Sequence, residues 1–116
     1  MDPLIYKIAT AAQWAEAEAR GVFAGAPVDH ADGYIHFSTA AQLAETAARH
    51  FAGRADLVLV AVDARALGAA LRYEPSRGGD LFPHLYAPLE LDHVVWVRPL
   101  PLGEDGVHVL PEPARR

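Results

Sequence analysis

Two short stretches of the chain concentrate side chains able to do chemistry. The first is Asp29-His30-Ala31-Asp32-Gly33-Tyr34-Ile35-His36-Phe37-Ser38-Thr39. On an extended strand Tyr34, His36 and Ser38 point one way while Ile35 and Phe37 point the other. A phenol, an imidazole and a hydroxyl sharing one face are costly to bury unpaired. A cleft would give them work; the plainer alternative is a solvated face, with Ser38 and Thr39 capping the next helix. The second stretch, Phe82-Pro83-His84-Leu85-Tyr86-Ala87-Pro88, places Phe82, His84 and Tyr86 on one face. Pro83 implies an edge strand, whose backbone donors are free to meet a ligand. Its plain alternative is an edge strand with a half-buried histidine. Glu74, ahead of the turn Pro75-Ser76-Arg77-Gly78-Gly79-Asp80, is either a positioned carboxylate or the edge of a loop. Imidazole plus phenol at period two on both strands predicts that the two faces meet across one pocket.

Other chemistries fit less well. Asp29, His30, Asp32, His36 and His84 supply ligand types for zinc or iron, but no compact ligand spacing joins them, so no metal is expected. The chain has no cysteine, which removes thiolate sites, thiol nucleophiles and disulfides. No GxSxG elbow surrounds Ser38, and no phosphate-binding glycine loop exists, Gly78-Gly79 being a turn. His50, His93 and His108 read as structural.

The elements that must position these groups alternate before turning to strands alone. Leu4 to Ile8 reads as a strand. Thr10 and Gln13 form a capping box for a helix over residues 11–20, closed by Gly21. Residues 24–33 read as a loop, and Tyr34 to Phe37 as a second strand. Thr39 and Gln42 open another helix, with Leu43, Ala47, His50 and Phe51 along one face. Leu57 to Val62 is apolar without interruption, as a central strand buried on both faces requires. A short helical turn over 64–70 and strands at 71–74, 81–86 and 93–100 follow, with a weak strand at 107–110. This order indicates an α+β fold with a mixed sheet. Residues 1–103 form one domain, and 104–116 form an extension ending in a frayed tail.

With 116 residues, 52% of them apolar, the chain has room for one core and is no disordered tail. No apolar run approaches membrane-spanning length, and Met1-Asp2-Pro3 does not resemble a secretory leader, so a cytoplasmic location is expected. A net charge of −5, with Lys7 the sole lysine, argues against general nucleic-acid binding. The oligomeric state stays open.

The strings Ile5-Tyr6-Lys7-Ile8, Trp14, Gly21, Asp32-Gly33-Tyr34-Ile35-His36-Phe37-Ser38-Thr39 and Phe82-Pro83-His84-Leu85-Tyr86 together resemble a small bacterial family, domain of unknown function 952. That resemblance runs from about residue 4 to residue 100. More distantly, the opening strand, helix and Gly21-Val22-Phe23 are similar to ADP-ribosyltransferase-like domains, and Ile35-His36-Phe37 resembles a stretch of the RNA 2′-phosphotransferases, which consume NAD. Tyr6-Lys7-Ile8 stands where those domains carry a ribose-binding histidine. The resemblance implies an ADP-ribosyltransferase-like fold, with a mixed, mostly antiparallel split sheet and two main helices. It also implies NAD or a related nucleotide as ligand or substrate. On that reading His36, His84 and Glu74 are the catalytic candidates, and Lys7, Tyr34, Ser38, Thr39 and Tyr86 the ligand contacts. Two other classes stay open: a non-enzymatic small-molecule or protein-interaction domain, and a two-histidine phosphoesterase built on His36-Phe37-Ser38 and His84-Leu85-Tyr86.

Overall fold

Thr10 joins the first two elements without a loop. In this computed structural model, which describes residues 3–114, strand β1 (Leu4–Thr10) runs straight into helix α1 (Ala11–Arg20). Thr10 Oγ1 accepts from the Gln13 N–H at 3.0 Å, and Gln13 Oε1 accepts from the Thr10 N–H at 2.9 Å. That is the expected capping box. Gly21 takes the left-handed conformation (φ 78°) and closes the helix. Trp14 and Ala17 are the residues α1 buries.

The stretch expected as a loop after β2 (Val22–Phe23) contains a short helix, α2 (Pro27–Asp32). Proline at its first turn loses no hydrogen bond, since that N–H would have no partner within the helix. Asp29 Oδ2 accepts from the Ala26 N–H at 2.8 Å, and Gly33 (φ 87°) ends the helix. Six residues are too few for a hydrophobic period, so local pattern alone does not reveal it. Next comes β3 (Ile35–His36), shorter than expected because the chain changes partners after it. Ser38 exchanges two backbone hydrogen bonds with Tyr6 of β1, both 2.8 Å. Helix α3 (Ala40–His50) then starts where Gln42 Oε1 accepts from the Thr39 N–H at 3.0 Å. Leu43 and Ala47 are buried and Phe51 is half-buried, but His50 on the expected apolar face is exposed.

Strand β4 (Leu57–Asp63) lies between β1 and β8 (Val94–Pro99), as its unbroken apolar run requires. Ile5, Val60 and Val62 pack on one side with Trp14 and Ala17 of α1. Tyr6, Leu59 and Ala61 pack on the other with Leu43 and Ala47 of α3. The helices thus cover opposite faces of this sheet. A second sheet has the order β3, β6 (Leu81–Leu85), β5 (Leu71–Pro75), and β2 pairs with β7 (Leu89–Glu90). Every ladder is antiparallel, so the mixed sheet expected from the strand–helix alternation is corrected. The strand after each helix pairs head to tail instead of returning in parallel.

Pro83 corrects a second expectation, because β6 is the central strand of its sheet and no edge. The Pro83 carbonyl faces β3 and accepts from the Phe37 N–H at 3.0 Å. Toward β5, Tyr73 opposite Pro83 is then a pair position that needs no amide, which is why proline fits there. Proline returns no N–H to Phe37, and the β3–β6 ladder stops. The C-terminal extension, 104–116, is expected to hold a weak strand at 107–110 and to fray only after it. A single bridge, Leu102 to His108, replaces the strand, and Leu110 and Ala114 pack on the Tyr6–Leu43 side of the core. Residues 115 and 116 lie outside the described residues. No helix among the described residues is long and apolar enough to cross a membrane.

Candidate functional site

The antiparallel register of β3 and β6 sets His36 opposite His84 and Ile35 opposite Leu85. The two polar faces anticipated from period-two alternation therefore meet. The imidazole rings stand 5.7 Å apart, edge to face. Tyr34 fills the angle between them, stacked on His84 at 4.0 Å and tilted against His36 at 4.6 Å and Tyr86 at 5.3 Å.

The two histidines are wired differently. His36 Nδ1 lies 2.6 Å from Asp29 Oδ1, and its Nε2 lies 2.8 Å from Asp32 Oδ2. Both contacts are donor–acceptor bonds only when each ring nitrogen carries a proton. His84 has one carboxylate partner, Glu74 Oε1, 2.8 Å from Nδ1. A carboxylate there fixes the proton on Nδ1 and leaves the Nε2 lone pair as the ring's basic position. Glu74 Oε1 also accepts from the Tyr86 hydroxyl at 2.6 Å. The Tyr86 hydroxyl first, and His84 second, hold the Glu74 carboxyl below its ordinary range. Tyr86, donating to that carboxylate, is pushed up in turn. Tyr34 is also pushed up, by burial first and then by the charges of Asp32, Glu74 and Asp29.

Asp29 is the hub of the arrangement. It is almost fully buried, and burial by itself would raise its pKa. Instead the His36 hydrogen bond, the Lys7 charge and the Ala26 N–H bring it down to about 2. Lys7 Nζ lies 3.0 Å from Oδ1 and 2.9 Å from Oδ2, and the His36 N–H donates to Oδ1 at 3.1 Å. Burial draws the Lys7 ammonium below the usual lysine range, and Asp29 partly restores it. Lys7 reaches this point because β1, at its bridge to Ser38, passes directly beside the end of β3.

A cleft of about 480 Å³ opens on one side of the cluster. Its polar wall includes Lys7, Asp32, His36, Ser38, His50 and His84, while Ile8, Val28, Phe37 and Phe82 are among its apolar lining. A smaller recess of about 270 Å³ lies against Asp29, His30, Tyr34 and Tyr86. Of the residues expected from sequence, Lys7, His36, Ser38 and His84 share the larger cleft, with Glu74 bonded to the His84 ring. Ser38 Oγ is engaged by Thr46 Oγ1 at 2.9 Å. Thr39 lines neither cavity and serves α3. The two phenols expected as ligand contacts are largely occupied: His84 stacks on Tyr34, and the Arg72 guanidinium lies 5.1 Å from the Tyr86 ring centroid.

Sequence reading placed Asp29 and Asp32 only among metal ligand types and missed their role as partners of His36. It also set aside His50, which stands on the cleft wall. One signal for Asp29 was available: a lone lysine inside an apolar strand requires a buried acid somewhere. Among the described residues, no group of three or more His, Asp or Glu side chains is arranged to hold a metal ion.

The family described as Protein of unknown function (DUF952) matches residues 8–97. Among solved structures, the crystal structure of protein CC0527 from Caulobacter crescentus is 50% identical, with a TM-score of 0.91 over 96% of this chain and 97% of that one. The solution NMR structure of CC0527 is 52% identical, with a TM-score of 0.84 over 91% of each chain. No curated protein matches at a significant level.

Proposed function

The chain belongs to the DUF952 family, and from that premise we propose that the larger cleft is an acid–base site for a small nucleotide, NAD or a relative, worked by His84 and His36. The observation that carries this reading is the in-register histidine pair, each ring tied to its own carboxylates. Two titratable groups held in contrasting environments are the usual basis for separate acid and base roles. His84, oriented by Glu74 through Nδ1, is the base. His36, clamped between Asp29 and Asp32, is the proton donor and electrostatic partner. The cleft volume falls within the range of small-molecule sites. The likeness of the sequence to ADP-ribosyltransferase-like domains favours NAD among nucleotides.

The 5.7 Å spacing of the two rings also favours a second reading, a two-histidine phosphoesterase acting on a cyclic phosphate. Against it, Tyr86 stands where a small hydroxyl is needed, and Ser38 is engaged with Thr46.

Melting curves with NAD, ADP-ribose and a 2′,3′-cyclic nucleotide separate the possibilities. A ligand at a hundredfold excess over its Kd stabilises by about 2.7 kcal/mol. For 116 residues that is about 11 °C. NAD or ADP-ribose is expected to give such a shift, lost in His84→Asn and in His36→Asn with the circular dichroism of both unchanged. A shift with the cyclic phosphate alone selects the second reading. Silence from all three nucleotides refutes both and points to a non-enzymatic interaction domain.

A further inference from the structure

Lys7 is a charged group almost wholly withdrawn from water. It is 5% exposed, lies opposite Val60 in the β1–β4 ladder, and still lines the larger cleft beside His36, His84 and Ser38. Taking an ammonium out of water costs several kcal/mol even after relaxation. A structural anchor for Asp29 does not require lysine, since arginine pairs with a carboxylate through two parallel bonds and keeps its charge. The other nine permanently cationic side chains of the sequence are all arginine. What lysine has and arginine lacks is an amine that can lose its proton and attack carbon. Burial pushes Lys7 in that direction.

We propose that Lys7 is a covalent binding site for a carbonyl compound, its Nζ condensing with an aldehyde or ketone carbon held in the larger cleft. The overall step is ammonium plus carbonyl giving iminium plus water. One C–N double bond replaces the C=O bond, and two of the three Nζ protons leave with the carbonyl oxygen as water. The charge on nitrogen is +1 before and after, so Asp29 faces a cation throughout and its pairing is kept. Attack requires one Nζ proton to be held temporarily; His84, which lines the same cleft and has Nδ1 committed to Glu74, is assigned as the acceptor through Nε2, and it returns that proton to the departing oxygen. No oxidant, reductant or cofactor enters the balance.

The inference goes beyond the acid–base reading and is tested apart from it, since NAD carries no free aldehyde. The probe is glyceraldehyde with cyanoborohydride at neutral pH, read by intact mass and peptide mapping. The chain has two kinds of amine, the Lys7 side chain and its terminal α-amine. With ordinary pKa values near 10.4 and 7.8, the α-amine has roughly a hundredfold or more advantage in free base. In the folded protein the reduced adduct is expected on Lys7 at least as fast as on the α-amine, with saturating dependence on glyceraldehyde. In denaturant the order reverts to α-amine first. Lys7→Arg removes the internal adduct; should that variant fail to fold, the wild-type peptide map decides by itself. Label confined to the α-amine of the folded protein, or Lys7 labelled no faster than in the denatured chain, overturns the proposal.

Discussion

Asp29→Asn removes a charge and almost no volume at the point where Lys7, Ala26 and His36 converge. In the native protein Oδ1 accepts from Lys7, from the His36 N–H and from the His36 ring, and Oδ2 accepts from Lys7 and the Ala26 N–H. Asparagine offers one acceptor oxygen and one donating NH₂, so in either orientation the NH₂ meets at least two donors. Lys7 is left as a buried cation without a counter-charge. Removing one partner of a buried pair costs about 3–5 kcal/mol. The depression of Asp29 from 3.8 to about 2 corresponds to about 2 kcal/mol of native-state preference for the ionised form. At about 2.1 cal/mol/K of unfolding entropy per residue, 116 residues convert each kcal/mol into about 4 °C. The variant should therefore melt about 12–20 °C below wild type at pH 7. Because the folded pKa lies below the unfolded one, Asp29 contributes fully above pH 3.8, and the contribution fades as pH falls toward 2. The variant's stability is accordingly less pH-dependent across that window. Adding Lys7→Met removes the stranded cation, so the double variant should be more stable than Asp29→Asn alone. Thermal unfolding of the three proteins at pH 7 and pH 3 makes the comparison. A loss under about 4 °C for Asp29→Asn, or a double variant no better than the single, refutes the hub assignment.

Glu74→Gln keeps an acceptor for His84 and Tyr86 while removing the charge. Its melting curve should stay near wild type, while Tyr86, which the carboxylate holds above the usual tyrosine range, titrates at lower pH; ring NMR shifts of Tyr86 across an alkaline titration report it, and an unmoved Tyr86 contradicts the assigned bond. Gly33→Ala places a Cβ at φ 87° in open space, so the cost is conformational strain alone, about 1–2 kcal/mol by urea unfolding. A larger loss would mean that a contact not visible at that position is broken.

Where the chain signals its structure locally, the sequence is sufficient. Thr10, Gln13 and Gly21 fix both ends of α1 through bonds spanning three or four residues, and Leu57 to Val62 declares a strand with no wet face. The histidine pair is legible for a related reason, because strand period two fixes which way His36 and His84 point once their strands are neighbours. Longer-range arrangements are not legible. α2 is completed by Asp29, whose partners lie 22 residues away at Lys7 and seven away at His36. Pro83 occupies a central strand because its carbonyl faces β3 while its pairing with Tyr73 of β5 needs no amide, which no local rule anticipates. The wiring of the candidate site belongs to this second kind: residue types were visible, and the carboxylate serving each imidazole was not.

Helix α2 buries one side chain, and that side chain is Asp29. Its hold on the body of the protein is thus an ion pair with hydrogen bonds, where α1 and α3 are held by apolar seams. Detaching α2 exposes little apolar area, so the heat-capacity change of that opening is small, whereas global unfolding has the large positive value of a hydrophobic core. Apolar adhesion weakens on cooling, and an ionic latch does not share that dependence. Because Val28 and Asp32 of α2 line the larger cleft, the stability of one cleft wall follows a flatter temperature curve than the stability of the fold that carries it.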